Sequence, residues 1–208
     1  KVMDNDICKD LILGSEELSE ARFFKARTTV EETTAVAPPQ GCSKVWKLNA
    51  STELGAHNLY HNELLDSGKR YYSYFVKAAE HTKIMFGDTG TPATFDIATG
   101  EVLTAAGARF MEHVGDGWYR IESGEYRSEF HQHSIRILDD TENASFAGTG
   151  SGGIYVTGAM LEARGETTGT RTSEYAPSTL TETGVKYFST TRPLDLKQYI
   201  LNSKNFLD

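Results

Sequence analysis

Residues 70–78 read Arg70-Tyr71-Tyr72-Ser73-Tyr74-Phe75-Val76-Lys77-Ala78, an aromatic and β-branched run that follows the turn signal Ser67-Gly68. Side chains of this kind pack well on a pleated, half-buried surface, so the run is expected to be a strand. Alternation along a strand puts Tyr72, Tyr74 and Val76 on one face and Tyr71, Ser73, Phe75 and Lys77 on the other. The first set is expected to face the core. Short runs of the same type follow at the spacing typical of a sandwich: 82–86, 93–97, 101–103, 108–113, 118–122, 134–138 and 153–161. Ala98-Thr99-Gly100 and Gly115-Asp116-Gly117 have hairpin-turn composition, because glycine adopts the positive φ that tight connections require. Helical periodicity is scarce, and Glu16 to Phe24 supports a turn or a single helical turn.

Composition agrees with an all-β domain. The 208 residues suffice for one substantial core, and 19 glycines against 5 prolines suit a fold with many turns. A net charge of -8 and the lack of a Lys/Arg cluster argue against a nucleic-acid partner. No apolar run approaches the roughly 20 residues of a membrane-spanning helix, so no membrane insertion is expected, and the opening residues lack the basic-then-apolar pattern of an export signal. Cys8 and Cys42 occur in neither a disulfide framework nor a zinc-binding spacing, and are expected to be two thiols.

Several segments, taken in order, carry a family resemblance: residues 10–16 (DLILGSE), 75–78 (FVKA), 86–88 (FGD), 94–100 (TFDIATG), 115–120 (GDGWYR), 153–162 (GIYVTGAMLE) and 172–177 (TSEYAP). Together they resemble bacteriophage virion proteins that carry a carbohydrate-binding-module-like, concanavalin-type jelly roll. The resemblance implies a two-sheet antiparallel jelly-roll β-sandwich over residues 11–178, preceded by an N-terminal extension at 1–10; the polar text between Pro177 and Pro193, with only weak alternation after it, reads as a C-terminal arm at 179–208 that is expected to dock on a partner or a neighbouring subunit. The resemblance also implies a non-enzymatic tail, fibre or head-surface component at the particle surface, a homo-oligomer assembled with other virion proteins and in contact with cell-surface glycans. A dedicated carbohydrate-binding attachment module is the alternative, and a glycoside hydrolase a remote one. The chain departs from the family pattern at Thr157, where an aromatic is usual, and at Met160, where Gln is usual.

Sugar recognition needs flat aromatic faces for the C–H side of a pyranose and polar groups for its hydroxyls. In Val114-Gly115-Asp116-Gly117-Trp118-Tyr119-Arg120, alternation separates Trp118 and Arg120 from Tyr119, which with Ile121 is expected to join the core. Tyr71, Phe75, Trp118, Arg120 and Arg136 form the candidate carbohydrate-binding set, provided their strands share a sheet. The competing expectation is that Trp118 anchors a hairpin against the second sheet or a crossing loop.

Other motifs point to bland roles. The run 147–153 is rich in glycine but leads into a strand, so a flexible loop is expected and not a phosphate cradle. His131 with His133, and His57 with His61, are expected to be satisfied or surface histidines, since sequence indicates no third metal ligand. Asp139 and Asp140 are the candidate calcium ligands in an acidic turn that lacks EF-hand spacing, and no other cofactor is expected. Glu122, Glu125 and Glu129 are expected on a solvated face, and no catalytic constellation emerges.

Overall fold

The chain forms two antiparallel sheets packed face to face, a jelly-roll β-sandwich, in a computed structural model that describes residues 8–10, 12, 14–64, 68–87, 92–104, 108–127, 130–164 and 187–188. Strands are numbered in chain order. The eight-stranded sheet contains β1 (Cys8–Asp10), β3 (Thr28–Glu32), β4 (Trp46–Ala50), β6 (Gly68–Ala78), β10 (Ala108–Gly115), β11 (Trp118–Arg127), β13 (Gly153–Arg164) and β14 (Tyr187–Phe188). The six-stranded sheet contains β2 (Phe23–Ala26), β5 (His57–Leu64), β7 (Lys83–Gly87), β8 (Ala93–Asp96), β9 (Glu101–Thr104) and β12 (Phe130–Ile137). Among the described residues there is no helix.

In the larger sheet the order is β10-β11-β6-β13. Beyond β13 the edge is composite: β4, with β3 outside it, pairs with the start of β13, while β1 and then β14 continue along its end. Backbone from the N-terminal extension and from the C-terminal arm thus pairs within this chain's own sheet. The rest of both segments lies outside the described residues.

Every strand run read from sequence lies within or overlaps an observed strand. Tyr72, Tyr74 and Val76 of β6 do face the core between the sheets, with Ile121, Leu161, Ile84, Phe86, Phe95 and Ile135. Burying each such side chain contributes about 1.5–3 kcal/mol relative to leaving it exposed. Both hairpin turns form. At the β10–β11 turn, Asp116 and Gly117 have φ of 50° and 73°, the double left-handed conformation of a two-residue hairpin loop. Residues 14–22 make successive reverse turns, closed by Glu17 N–H to Gly14 O (2.8 Å) and Glu20 N–H to Glu17 O (3.1 Å), and Phe23 begins β2 instead of ending a helical turn.

The glycine-rich run 147–153 differs from expectation, because its backbone is tied down along its length. Gly148 N–H and Gly150 N–H donate to Ser51 O (2.8 Å) and Ala50 O (2.9 Å), and Ala50 N–H donates to Gly152 O (2.8 Å). His57 secures the same corner, its two ring nitrogens lying 2.7 Å and 2.9 Å from the carbonyl oxygens of Arg27 and Phe146. Glycine serves close backbone approach here: a Cβ on Gly148 would fall 2.6 Å from Ser51 O.

Glu80 closes the end of this corner. Its carboxylate accepts from Lys47 Nζ (2.8 Å) and from Gly153 N–H (3.0 Å). The hydrogen bond from Lys47 is the main reason that its carboxyl is held below the usual glutamate range. A depressed folded-state pKa contributes stability that is present above the ordinary value near 4.5 and is lost as pH falls through the lower folded-state value. Glu80→Gln is therefore expected to flatten the acid limb of a melting-temperature profile below about pH 4.5. An acid limb as steep in the variant as in the parent would contradict this assignment.

Candidate functional site

Four of the five residues expected to bind carbohydrate share one face, and that face is covered. Tyr71, Phe75, Trp118 and Arg120 lie on the outward side of the eight-stranded sheet, where Phe75 and Arg120 are register partners and the guanidinium sits 5.6 Å from the Phe75 ring centroid. Residues 33–45, the connection from β3 to β4, cross this face as a strap. Its Val45, with Val36 and Cys42 packed alongside, completes a second apolar cluster with Phe75, Trp118 and Met160. The Trp118 indole donates Nε1–H to Ala37 O at 3.0 Å and is 1% exposed. Trp118 is thus an anchor beneath a crossing loop, and Tyr71, Phe75 and Arg120 are buried with it.

Turn residues near the N-terminus pin the strap. Glu16 accepts from Ser43 N–H (2.7 Å) and Ser43 Oγ–H (2.6 Å), and Thr157 Oγ–H donates to Lys44 O (2.7 Å). Lys44 Nζ lies 2.6 Å from Glu17, a hydrogen bond that raises the ammonium pKa. A cavity of about 200 Å³ lies within the strap itself, lined by Glu32, Thr34, Pro38 and Lys44 among others, and Trp118 is not part of it.

The expectation of a solvated Glu122 is corrected. Its side chain is buried beside Arg120, with Oε1 3.6 Å from the guanidinium Nε, and Arg120 also donates to Ser73 Oγ at 3.1 Å. Side chains of Glu125 and Glu129 lie outside the described residues. Arg136 departs from the set altogether, because β12 belongs to the other sheet. A single-sheet constellation of all five residues does not form.

The outward face of the six-stranded sheet has a different character. Register places two rows of side chains across it: Phe24, Tyr60, Ser134 and Gly87 in one, and Ala26, Asn58, Arg136, Met85, Thr94 and Thr104 in the next. Phe24 is 43% exposed, and its ring stacks on Tyr60 at 5.2 Å between centroids and 9° between planes. Arg136 is half-buried, donates Nε–H to Asn58 Oδ1 at 2.8 Å and approaches Met85 Sδ at 3.9 Å. Burial lowers its guanidinium pKa from the usual range. Aromatic rings, an amide and a cation therefore stand together on a partly exposed sheet face, while of the hydroxyls in these rows Ser134 and Thr94 are buried and Thr104 is exposed.

Sequence reading missed Phe24, Asn58 and Tyr60 because no strand was assigned before residue 70. Period-two alternation in His57–Leu64 is present, but two of its inward residues are His57 and His61, so the buried face looks polar. His133 is buried as well, stacked on Tyr72 and opposite His61 in register, while the His131 side chain lies outside the described residues. Asp139 is occupied by its own turn: Oδ1 accepts from Thr141 Oγ–H (2.7 Å), Thr141 N–H (2.9 Å) and Asn143 N–H (2.9 Å). The Thr141 hydroxyl, first among these, draws its carboxyl below the usual aspartate range. Among the described residues no cluster of three or more His, Cys, Asp or Glu has metal-binding geometry.

No protein-family model matches this chain, and no curated protein does. Among solved structures, the chain is similar to the enzymatically active domain of bacteriophage CBA120 tailspike protein 4, with 13% identity, 74% of this chain and 21% of that one covered, and a TM-score of 0.42. It is also similar to a carbohydrate-binding module from Cellvibrio mixtus lichenase 5A in complex with cellotriose, with 16% identity, 72% and 95% coverage, and a TM-score of 0.36. The chain spans about a fifth of the tailspike domain's length.

Proposed function

We propose that this chain is a non-enzymatic protein of a phage particle whose jelly roll contacts host-surface glycans through the outward face of the six-stranded sheet. One observation carries the reading: the ring pair of exposed Phe24 and half-buried Tyr60 lies one row from Arg136 and Asn58 on the same face. Apolar C–H faces of a sugar ring pack on such aromatics, and amide, hydroxyl and guanidinium groups hydrogen-bond its hydroxyls. The ordered run of virion-protein motifs in the sequence supports placing the module on a particle, assembled as a homo-oligomer with other virion proteins. Hydrolysis is the weaker reading, since the buried carboxylates Glu122 and Glu162 lie on the strap side of the other sheet, away from the ring pair.

Binding to a glycan array and to host cells tests the proposal. Phe24→Ala is expected to cost about 1 kcal/mol, because the ring is 43% exposed and stacks on Tyr60, yet to weaken glycan binding at least about tenfold. Binding that survives Phe24→Ala together with Tyr60→Ala, but is altered by cleavage within residues 33–45, would move the site to the Trp118 face.

A further inference from the structure

We propose that Arg136 seats a carboxylate of the bound glycan, so that the ligand class is an acidic sugar; this inference rests on the binding face proposed above. The chain carries 29 acidic and 21 basic residues, and four of its buried or half-buried cations have a carboxylate beside them, while Lys25 and Lys77 donate to backbone carbonyl oxygens instead. Lys44 lies 2.6 Å from Glu17, Lys47 2.8 Å from Glu80, Lys83 3.1 Å from Glu142 and Arg120 3.6 Å from Glu122. Arg136 makes no ion pair with a described residue. Its contacts are Asn58 Oδ1 through Nε and Met85 Sδ through one terminal nitrogen, which leaves the second terminal nitrogen with no hydrogen bond to a described residue.

Removing a guanidinium from water without an anion beside it is unfavourable, and the direction of its pKa reflects that cost. The carboxylates on the same face do not offset it. Asp96 stands two residues along β8 from Thr94, and its Oδ1 accepts from Ala98 N–H (2.9 Å) and Thr99 N–H (3.2 Å), while Glu101 is the register partner of Asp96 beyond it. A planar guanidinium matches a carboxylate in a two-bond geometry, with stronger hydrogen bonds than neutral pairs give. Tyr60 is diagonal to Arg136 across β5 and β12, roughly 7 Å away in an antiparallel pair. A pyranose resting on the Tyr60–Phe24 rings thus places an exocyclic carboxylate over Arg136, with the exposed Thr104 hydroxyl further along the row.

The experiment is calorimetric titration of the full chain with uronic-acid and sialic-acid oligosaccharides, their carboxyl-reduced neutral counterparts and a sulfated oligosaccharide. The parent protein, Arg136→Gln, Arg136→Lys and Phe24→Ala are compared, each first checked for an unchanged melting temperature. The expected result is at least about tenfold tighter binding of an acidic sugar than of its reduced counterpart, weakened by salt. Arg136→Gln should abolish that preference, weakening the acidic sugar at least about tenfold more than its reduced counterpart, and Arg136→Lys should retain part of it. Equal affinity for acidic and reduced sugars, or a preference that survives Arg136→Gln, overturns the inference. Neutral sugars that bind through Phe24 without any acid preference would leave the glycan-binding face standing while this inference falls. Preference for the sulfated sugar alone would overturn the carboxylate assignment. No binding of any sugar would overturn both.

Discussion

Replacing Gly153 with Ala is expected to lower stability by about 4 kcal/mol, at the severe end of single substitutions, and the melting temperature by about 10 °C. A Cβ at this position would land on the Leu48 carbonyl oxygen and lie 3.0 Å from Asn49 Cα. Both obstacles are backbone atoms of β4, so no side-chain rotation relieves the overlap. Separating β13 from β4 would be the remaining relief, and it would break the Gly153–Asn49 and Ile154–Leu48 pairings together with the Glu80 contact to Gly153 N–H. Thermal unfolding of the variant beside Gly150→Ala separates overlap from local strain. Gly150 has a φ of +86°, but a Cβ there would meet only the Thr52 methyl at 3.6 Å. Its expected loss is about 1–2 kcal/mol from the left-handed backbone alone. Equal losses at the two positions would show that β4 does not constrain Gly153.

Trp118→Ala removes the largest fully buried side chain among the described residues and is expected to cost about 3–5 kcal/mol. The cavity opens between the eight-stranded sheet and the strap, among Phe75, Met160 and Val45. Residues 33–45 should therefore become the preferred site of limited proteolysis. Trp118→Phe retains most of the packing and loses the indole N–H to Ala37 O, for about 1 kcal/mol. If the variant stays as stable as the parent while binding is lost, Trp118 belongs to a ligand platform and the anchor assignment is wrong. Binding through the other sheet predicts that Trp118→Phe leaves glycan affinity unchanged, which gives the two faces independent readouts.

The core strands were legible because their signal is local. Aromatic and β-branched alternation in 70–78 and 118–122 assigned Tyr72, Tyr74, Val76, Tyr119 and Ile121 to one side, and these side chains pack in or against the core between the sheets. Strands before residue 64 carried no such signal, for different physical reasons. In β4 the burial alternation of Trp46, Lys47, Leu48, Asn49 and Ala50 is blurred because only Lys47 stays partly exposed. In β5 histidines occupy inward positions. In β3 the residues Thr28-Thr29-Val30-Glu31-Glu32 form a mostly exposed strand whose one apolar residue is Val30.

The sequence by itself determined the all-β class, the turn positions and which side chains share each face of the later strands, since period-two geometry is a property of neighbouring residues. Only the tertiary structure decided which faces are covered. The contact that buries Trp118 comes from Ala37, 81 residues away, and the pairing of β12 with β5 and β7 moved Arg136 to the opposite sheet. Alternation says that Trp118 and Arg120 point away from the core. Whether such a face meets solvent or a strap depends on contacts between residues far apart in sequence, which local patterning does not encode.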